Sequence, residues 1–305
     1  MRFETKSVLN LKEVVCPECR SALREEAEAL ICSGCSRAFA VRNGIPCFVE
    51  LDSNALPFKE EYFEFWFKRE NTHFWHVARR EIIASFAAPY LAACVGAPDN
   101  SRGIEIGIGN GNVTQAFLDA GISMEGADYF YSALLFCRKR MQIPLFQADL
   151  LKLPFKERYD FIGIFDIIEH IEDDRTALRN AYEALKPGGI LQVTVPACKF
   201  LWSRFDELDH KRRYSKKELI ERLGEAGFKI RRVSFFMFLL FPFVYLVRKL
   251  QRYPSNTKLE HVSEVQVVPG LNPILLFIFR LERILLKFIN LPIGSSLIAI
   301  AQRPA

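Results

Sequence analysis

Several familiar signatures are missing from this sequence, and each absence narrows the reading. The opening residues MRFETKSVLNLKEVVC lack the continuous apolar core of a signal peptide. The uninterrupted apolar run from Phe235 to Val247, with Pro242 inside it, would span roughly 20 Å as a helix at ~1.5 Å per residue, short of a hydrocarbon core of ~30 Å. It is not expected to cross a bilayer. The glycine-rich stretch GIEIGIGNGN has Asn112 where the third glycine of a GxGxxG dinucleotide fingerprint would stand, and no GKS or GKT follows to make a P-loop. Strong charge of one sign is also absent: the net value of +5 over 305 residues neither demands nor excludes an anionic partner.

What is present is enough for a full α/β core and an additional module or two. Half of the residues are apolar and 25% are charged, which is a globular balance. Four of the 8 cysteines form two CxxC pairs, Cys16 with Cys19 and Cys32 with Cys35, as expected of reduced thiols in a cytoplasmic protein. Cys47, Cys94, Cys137 and Cys198 sit in apolar surroundings and read as small core residues.

Three regions follow from the pattern. Residues 1–55 read as a zinc ribbon in which the two CxxC knuckles offer four thiolates to one tetrahedral Zn2+. So few apolar residues accompany them that the segment should depend on the ion to fold. The segment resembles the small zinc-ribbon domains that act alone as activators of tRNA methyltransferases or are fused ahead of methyltransferase domains. Residues 56–98 are helical in pattern and aromatic. Phe63, Phe67, Phe74 and Trp75 are expected to pack on the next domain, and the cluster His73, Trp75, His76, Arg79 and Arg80 is also placed to wall a ligand pocket as a lid. Residues 99–305 alternate strands and helices, the sign of a parallel sheet covered on both faces. RGIEIGI, ISMEGAD, IPLFQAD, YDFIGIFD, GGILQVTVP, FKIRRVSFF and SLIAIAQR supply seven strands.

In such a Rossmann-like sheet the ligand lies across the carboxyl ends of the strands, beside the first strand-to-helix turn. Glu105, just before Gly107, Gly109 and Gly111, would repel a pyrophosphate but suits an ammonium or sulfonium. S-adenosylmethionine has both cations and no phosphate. Asp128 ends the second strand, placed for a ribose diol. Asp149 ends the third, placed with the Leu150 backbone for an adenine edge.

The ordered motifs EIGIGNG, GAD, ADLLKLPF, YDFIGIFDIIEHIEDD and ALKPGGILQVTVP make the chain resemble the class I S-adenosylmethionine-dependent methyltransferases, especially the ubiquinone-pathway enzymes. The resemblance implies a seven-stranded sheet with its last strand antiparallel. It assigns cofactor contacts to Glu105, Gly107, Gly109, Gly111, Asp128, Asp149 and Asp166.

Methyl transfer from a sulfonium needs alignment and, for a hydroxyl acceptor, removal of a proton. His170 follows the fourth strand directly, as a base or as a support of loop geometry. The segment FLWSRFDELDHKRRYSKKELIERLGEAGF offers Asp206, His210, Arg213 and Tyr214 ahead of a helix capped by Ser215 with Glu218. A similar stretch occurs in bacterial methyltransferases encoded among surface-polysaccharide and lipid genes. His210 is the expected base there, Arg213 an anion clamp, and Tyr214 a further candidate.

An apolar insert at about 235–293 ends in PILLFIFRLERILLKFIN, where Arg280, Arg283 and Lys287 share a helical stripe. Such a helix can lie peripherally in a membrane interface, here the inner face of the plasma membrane, gripping anionic head groups. A buried helical pair or a homodimer contact is the alternative. The leading expectation is a methyltransferase for a small or lipid-linked acceptor such as a glycolipid, saccharide or isoprenoid. A zinc-ribbon RNA methyltransferase is the runner-up, weakened by sparse basic residues and no aromatic stacking platform. A cofactor-binding scaffold without chemistry is the third reading.

Overall fold

Each of the seven expected runs forms a strand of one sheet. In the computed structural model, residues 11–26, 28–50, 60–95, 101–242, 245–246 and 270–305 are described. The chain's opening stretch, Pro57, the side chain of Cys94 and most of the insert between 243 and 269 lie outside them. The N-terminal strands are β1 (Leu23–Glu26), β2 (Ala29–Cys32), β3 (Ala38–Arg42) and β4 (Ile45–Pro46). The main sheet contains β5 (Gly103–Ile106), β6 (Met124–Asp128), β7 (Leu145–Gln147), β8 (Tyr159–Phe165), β9 (Leu185–Pro196), β10 (Lys229–Phe236) and β11 (Ser296–Gln302). Its order is β10-β11-β9-β8-β5-β6-β7. β5, β6, β7, β8 and β9 pair in parallel, and β11 runs antiparallel to both β9 and β10. The expected antiparallel last strand is therefore found, inserted between its neighbours.

β5 and β6 are buried at every position, as strands covered on both faces must be. On one face α5 (Asp174–Ala184) and α7 (Lys216–Glu225) bury Leu178 and Leu219 against Ile162 and Ile164. α7 starts at the expected capping box: Ser215 Oγ accepts the Glu218 N–H, and Glu218 Oε2 accepts the Ser215 N–H at 2.8 Å. On the other face α1 (Glu60–Thr72) leads into α2 (Phe74–Val95), whose Ile82, Ile83 and Phe86 join Phe117, Phe161 and Ile298. α3 (Asn112–Asp119), α4 (Tyr131–Arg138) and the short α6 (Arg204–Asp209) complete the connections before the insert.

The N-terminal segment is not a separate bead. Val14, Leu23, Leu30 and Phe39 belong to the same buried cluster as Ile162 and Leu178. Val15 N–H bonds Pro154 O at 2.9 Å, Arg20 donates to Leu153 O and Phe155 O, and Phe48 N–H bonds Gln147 O at 2.8 Å. The scarcity of apolar residues noted in the sequence is thus met by the neighbouring sheet as well as by a metal. Cys47 and Cys137 are buried and Cys198 is half-buried.

The insert delivers α8 (Leu271–Phe288), which lies along α2. Phe279 stacks on Phe74 at 5.8 Å between centroids. The buried Glu282 accepts the N–H groups of Phe238 and Leu239 at 2.9 and 3.0 Å, so a carboxylate anchors the helix inside apolar surroundings. Arg280 and Arg283 turn toward Glu81 of α2, at 2.7 and 3.6 Å. These two arginines brace helix against helix while Arg280 stays 48% exposed. Phe277 and Phe288 remain 62% and 79% exposed. Among the described residues no helix is long and apolar enough to cross a membrane.

Candidate functional site

The turn from β5 into α3 bends on glycine. At Gly107, with φ +81°, a Cβ would come within 2.3 Å of Ile167 Cδ1. At Gly109, with φ +50°, a Cβ would meet nothing within 4 Å, because this backbone faces an open cleft. The cleft, of about 230 Å³, has Glu105, the glycine turn, Phe165 and Asp166 on its sheet side, and Glu70, Trp75, His76, Arg79 and Arg80 on its helical side. α2 therefore contributes a wall as well as core, with Phe74 packed inward and Trp75 lining the space.

Glu105 is buried, and Thr114 donates its hydroxyl to it at 2.5 Å. Burial pushes its carboxyl up to about 8, against the opposing pull of the Thr114 bond and of Arg79. Arg79 pairs with Asp166 at 2.6 Å and donates to Thr194 Oγ1 at 3.1 Å. Asp166 holds a left-handed φ of +56°, a strained setting that aims its carboxylate at both partners. His76 is pulled down to about 3 by burial and then by Arg79, so the cationic side of the cleft belongs to the arginines.

Glu70 latches the helical side onto the glycine turn. Asn110 and Asn112 donate to its two oxygens at 3.0 and 2.7 Å. Asn71 extends the latch by donating to Asn112 Oδ1 while accepting from Arg80 at 2.6 Å.

The remaining acids stand on the next strand ends, neither of them in the lining of the cleft, though Asp128 reaches its glycine turn. Asp128 accepts the Gly109 and Phe130 N–H groups at 2.9 and 2.8 Å. Burial nevertheless raises its carboxyl to about 6. Asp149 accepts the Leu151 N–H at 2.8 Å and caps the short turn that contains the buried Leu150.

Two cofactors can be tested against these side chains. At the cleft, Arg79 Nε and Asn110 Oδ1 are buried without a partner among the described residues, one donor and one acceptor awaiting a ligand. A zwitterionic amino acid with an adjoining cation and ribose matches that set: a carboxyl at Glu105, with Asp128 behind the glycine turn, an arginine, and a Gly109 that puts no side chain into the cleft. In the N-terminal segment the sulfur atoms of Cys16, Cys19, Cys32 and Cys35 lie within 4.8 Å of one another. Cys19 and Cys32 are 3.3 Å apart and Cys16 and Cys35 3.7 Å. A tetrahedron with Zn–S bonds of ~2.3 Å has edges of roughly 3.8 Å, so the four thiols fit zinc.

None of the acceptor-side candidates lines the cleft at the glycine turn. His170 and His210 do meet, ring centroids 4.7 Å apart. Arg213 is spent internally: Nε and Nη2 bond Asp206 at 2.7 and 3.0 Å, and Nη1 bonds Ala197 O at 3.0 Å. Its charge there faces the fully buried Asp206. Burial opposes ionisation there, but the bonds from His210 and Arg213 hold the Asp206 carboxyl well below the usual range. Tyr214 is 2% exposed and gives its hydroxyl to Asp174 at 2.7 Å. Its ring belongs to the buried cluster that includes Leu219 and Ile164.

Glu70, Thr114, Thr194 and Glu169 escaped the sequence reading. Only Glu169 left a signal, as the neighbour of His170 in DIIEHI.

Comparison with known proteins agrees with this architecture. Residues 64–233 match the family model described as "Methyltransferase domain", and residues 11–44 match that of the Trm112p-like proteins. An uncharacterized protein of Methanocaldococcus jannaschii is 33% identical over 137 residues, covering 42% of this chain and 64% of that one. A demethylmenaquinone methyltransferase of Streptomyces griseus is 30% identical over 120 residues, covering 38% and 50%. The chain thus spans about half to just under two thirds of the length of these relatives. Among solved structures, a candidate sarcosine dimethylglycine methyltransferase from Galdieria sulphuraria shares the fold, with a TM-score of 0.52 at 14% identity over 80% of this chain and 99% of that one. With its cleft on the carboxyl ends of β5 and β8 and more than half its length matched, the chain belongs to the methyltransferase-domain family, carrying a Trm112p-like zinc ribbon at its N-terminus.

Proposed function

We propose that the chain transfers a methyl group from S-adenosylmethionine to a small-molecule or lipid-linked acceptor. The observation that carries this reading is the juxtaposition of buried Glu105 with the incompletely satisfied Arg79 across the open backbone of Gly109. Two opposite charges so placed complement an amino acid's ammonium and carboxylate. Bound there, S-adenosylmethionine supplies an electrophilic methyl group on a sulfonium. Glu105 holds the ammonium and Arg79 the carboxylate, while Asp128 accepts from the ribose diol. Asp149 and the Leu150 N–H take the adenine edge. The Glu70 latch keeps α1 over the glycine turn and so limits water in the cleft.

The acceptor approaches from the side of Asp166 and His170. Supporting a lipid-linked acceptor, α8 presents Ile274, Phe277 and Phe288 outward, three large apolar side chains on one helix. A peripheral membrane contact uses that face; a protein partner or a second copy of the chain is the competing occupant.

Incubation with radiolabelled S-adenosylmethionine and separated lipid, saccharide, RNA and protein fractions tests the proposal. Label in lipid or saccharide supports it. Label in RNA alone replaces it with the zinc-ribbon RNA enzyme, and cofactor binding without label in any fraction leaves a non-catalytic scaffold.

A further inference from the structure

Behind Asp166, the loop after β8 meets the turn after α6, and three metal-ligating side chains converge there. Glu169 is completely buried, and neither of its carboxylate oxygens has a hydrogen-bond partner among the described residues. A buried carboxylate with both oxygens unmatched is costly unless something else satisfies it. One ligand atom each from Glu169, His170 and His210 lie within 4.8 Å of one another.

Both imidazoles are oriented from behind. His210 Nδ1 lies 2.7 Å from Asp206 Oδ1, and Asp206 is itself fixed by Arg213. His170 Nδ1 lies 3.0 Å from Asp209 Oδ2 and 3.3 Å from Asp209 O. A carboxylate or carbonyl on Nδ1 sets the ring plane and makes Nε2 the stronger donor, the usual outer support of a metal-bound histidine. This gives Asp206 and Arg213 a part that the anion-clamp reading missed: they hold a ligand rather than a substrate.

We propose that Glu169, His170 and His210 bind one divalent transition-metal ion, distinct from the ribbon zinc. Two imidazoles and one carboxylate suit Mn2+, Fe2+, Co2+ or Zn2+ better than an all-oxygen ion such as Ca2+. Asp166, three residues before Glu169 in the same loop, and its partner Arg79 both line the cleft. The ion therefore adjoins the cofactor site. On the methyl-transfer reading it takes an acceptor hydroxyl, whose proton passes to solvent as its oxygen attacks the methyl group and the sulfonium departs as a thioether.

The test reads metal binding, without methyl donor or acceptor, so its result is separate from the fate of the methyl-transfer proposal. The full chain, its ribbon loaded with zinc, is titrated with Co2+ and followed by visible absorption and metal analysis. One Co2+ per chain is expected, without thiolate charge-transfer bands and with one zinc retained. Glu169→Gln and His210→Ala should each weaken this binding by at least about tenfold.

Because a buried substitution can unfold the chain, two further measurements stand beside these. The half-buried position is changed as His170→Gln, with the same loss expected. In the unmodified protein, Co2+ should slow acylation of His170 and His210 by diethyl pyrocarbonate, read peptide by peptide. No saturable cobalt beyond the ribbon, affinity unchanged in folded variants, or acylation indifferent to Co2+ would each overturn the proposal.

Discussion

Arg79 on α2 and Asp166 at the end of β8 are joined by a 2.6 Å ion pair that ties the helical wall of the cleft to the sheet. Among the described residues the buried Nε of Arg79 has no partner, so the pair leaves part of that guanidinium's hydrogen-bonding capacity open. Arg79→Ala is expected to weaken S-adenosylmethionine binding by about ten- to a hundredfold, the equivalent of a charged hydrogen bond worth ~1.5–3 kcal/mol. Titration calorimetry measures it, and an unchanged Kd would remove Arg79 from the cofactor site.

Glu105 gives the cleft a pH dependence whose sign can be worked out. Burial lifts its carboxyl to about 8 from an ordinary value of 4.5, so the cofactor-free fold favours the protonated form. Its contribution to stability is complete below the unfolded value and is lost as pH rises through about 8. A cationic ligand prefers the ionised form, so cofactor affinity should rise between pH 6 and 8 while cofactor-free melting temperature falls. Glu105→Gln should flatten both profiles; profiles that keep their slopes in the variant would assign the dependence to another group.

Removing zinc should destabilise the whole chain. Val14, Leu30 and Phe39 share one buried cluster with Ile162 and Leu178 of the main sheet, so loosening the ribbon exposes that common core. Structural zinc contributes on the order of 10 kcal/mol to small ribbons. A Cys16→Ser protein, or one dialysed against a strong chelator, should melt well below the parent. Calorimetry supplies the measurement, and an unaltered main transition after verified zinc loss would show that the sheet stands alone.

The outer face of α8 predicts a surface effect without a stability effect. Phe277 and Phe288 are largely exposed, and inserting a phenyl ring into an apolar medium is worth about 1.5–3 kcal/mol. Phe277→Glu and Phe288→Glu should each lower flotation with anionic liposomes by about tenfold or more while leaving the melting temperature near the parent value. A parent protein that ignores liposomes, or variants that still float, would hand this face to a protein partner or a second copy.

Strands buried on both faces were easy to read because most of their positions are apolar, and β5, β8 and β11 fall where their apolar runs lie. The glycine turn and the four cysteines were legible for a related reason: local geometry admits few other residues. Contacts that depend on long-range pairing were not. Nothing in the sequence of α1 marks Glu70 as the latch on Asn110 and Asn112, some forty positions away. Arg213 was hidden at shorter range: its charge meets Asp206, seven positions back, only because α6 and the turn after it fold together. For Arg280 and Arg283, helical spacing shows the stripe but not the glutamate on α2 that faces it.

The bond from Phe48 N–H to Gln147 O and the parallel bridge between Cys47 and Gln147 have a consequence for solubility. β7 stands last in the sheet, and an open border strand is a template for another chain to pair with. The residues after β4 occupy that template from within. At the opposite border β10 carries Lys229, Arg231 and Arg232, charges that discourage pairing there by different means. Zinc that holds the ribbon in place therefore also keeps the β7 border covered, and metal depletion should appear as concentration-dependent aggregation before any loss of secondary structure.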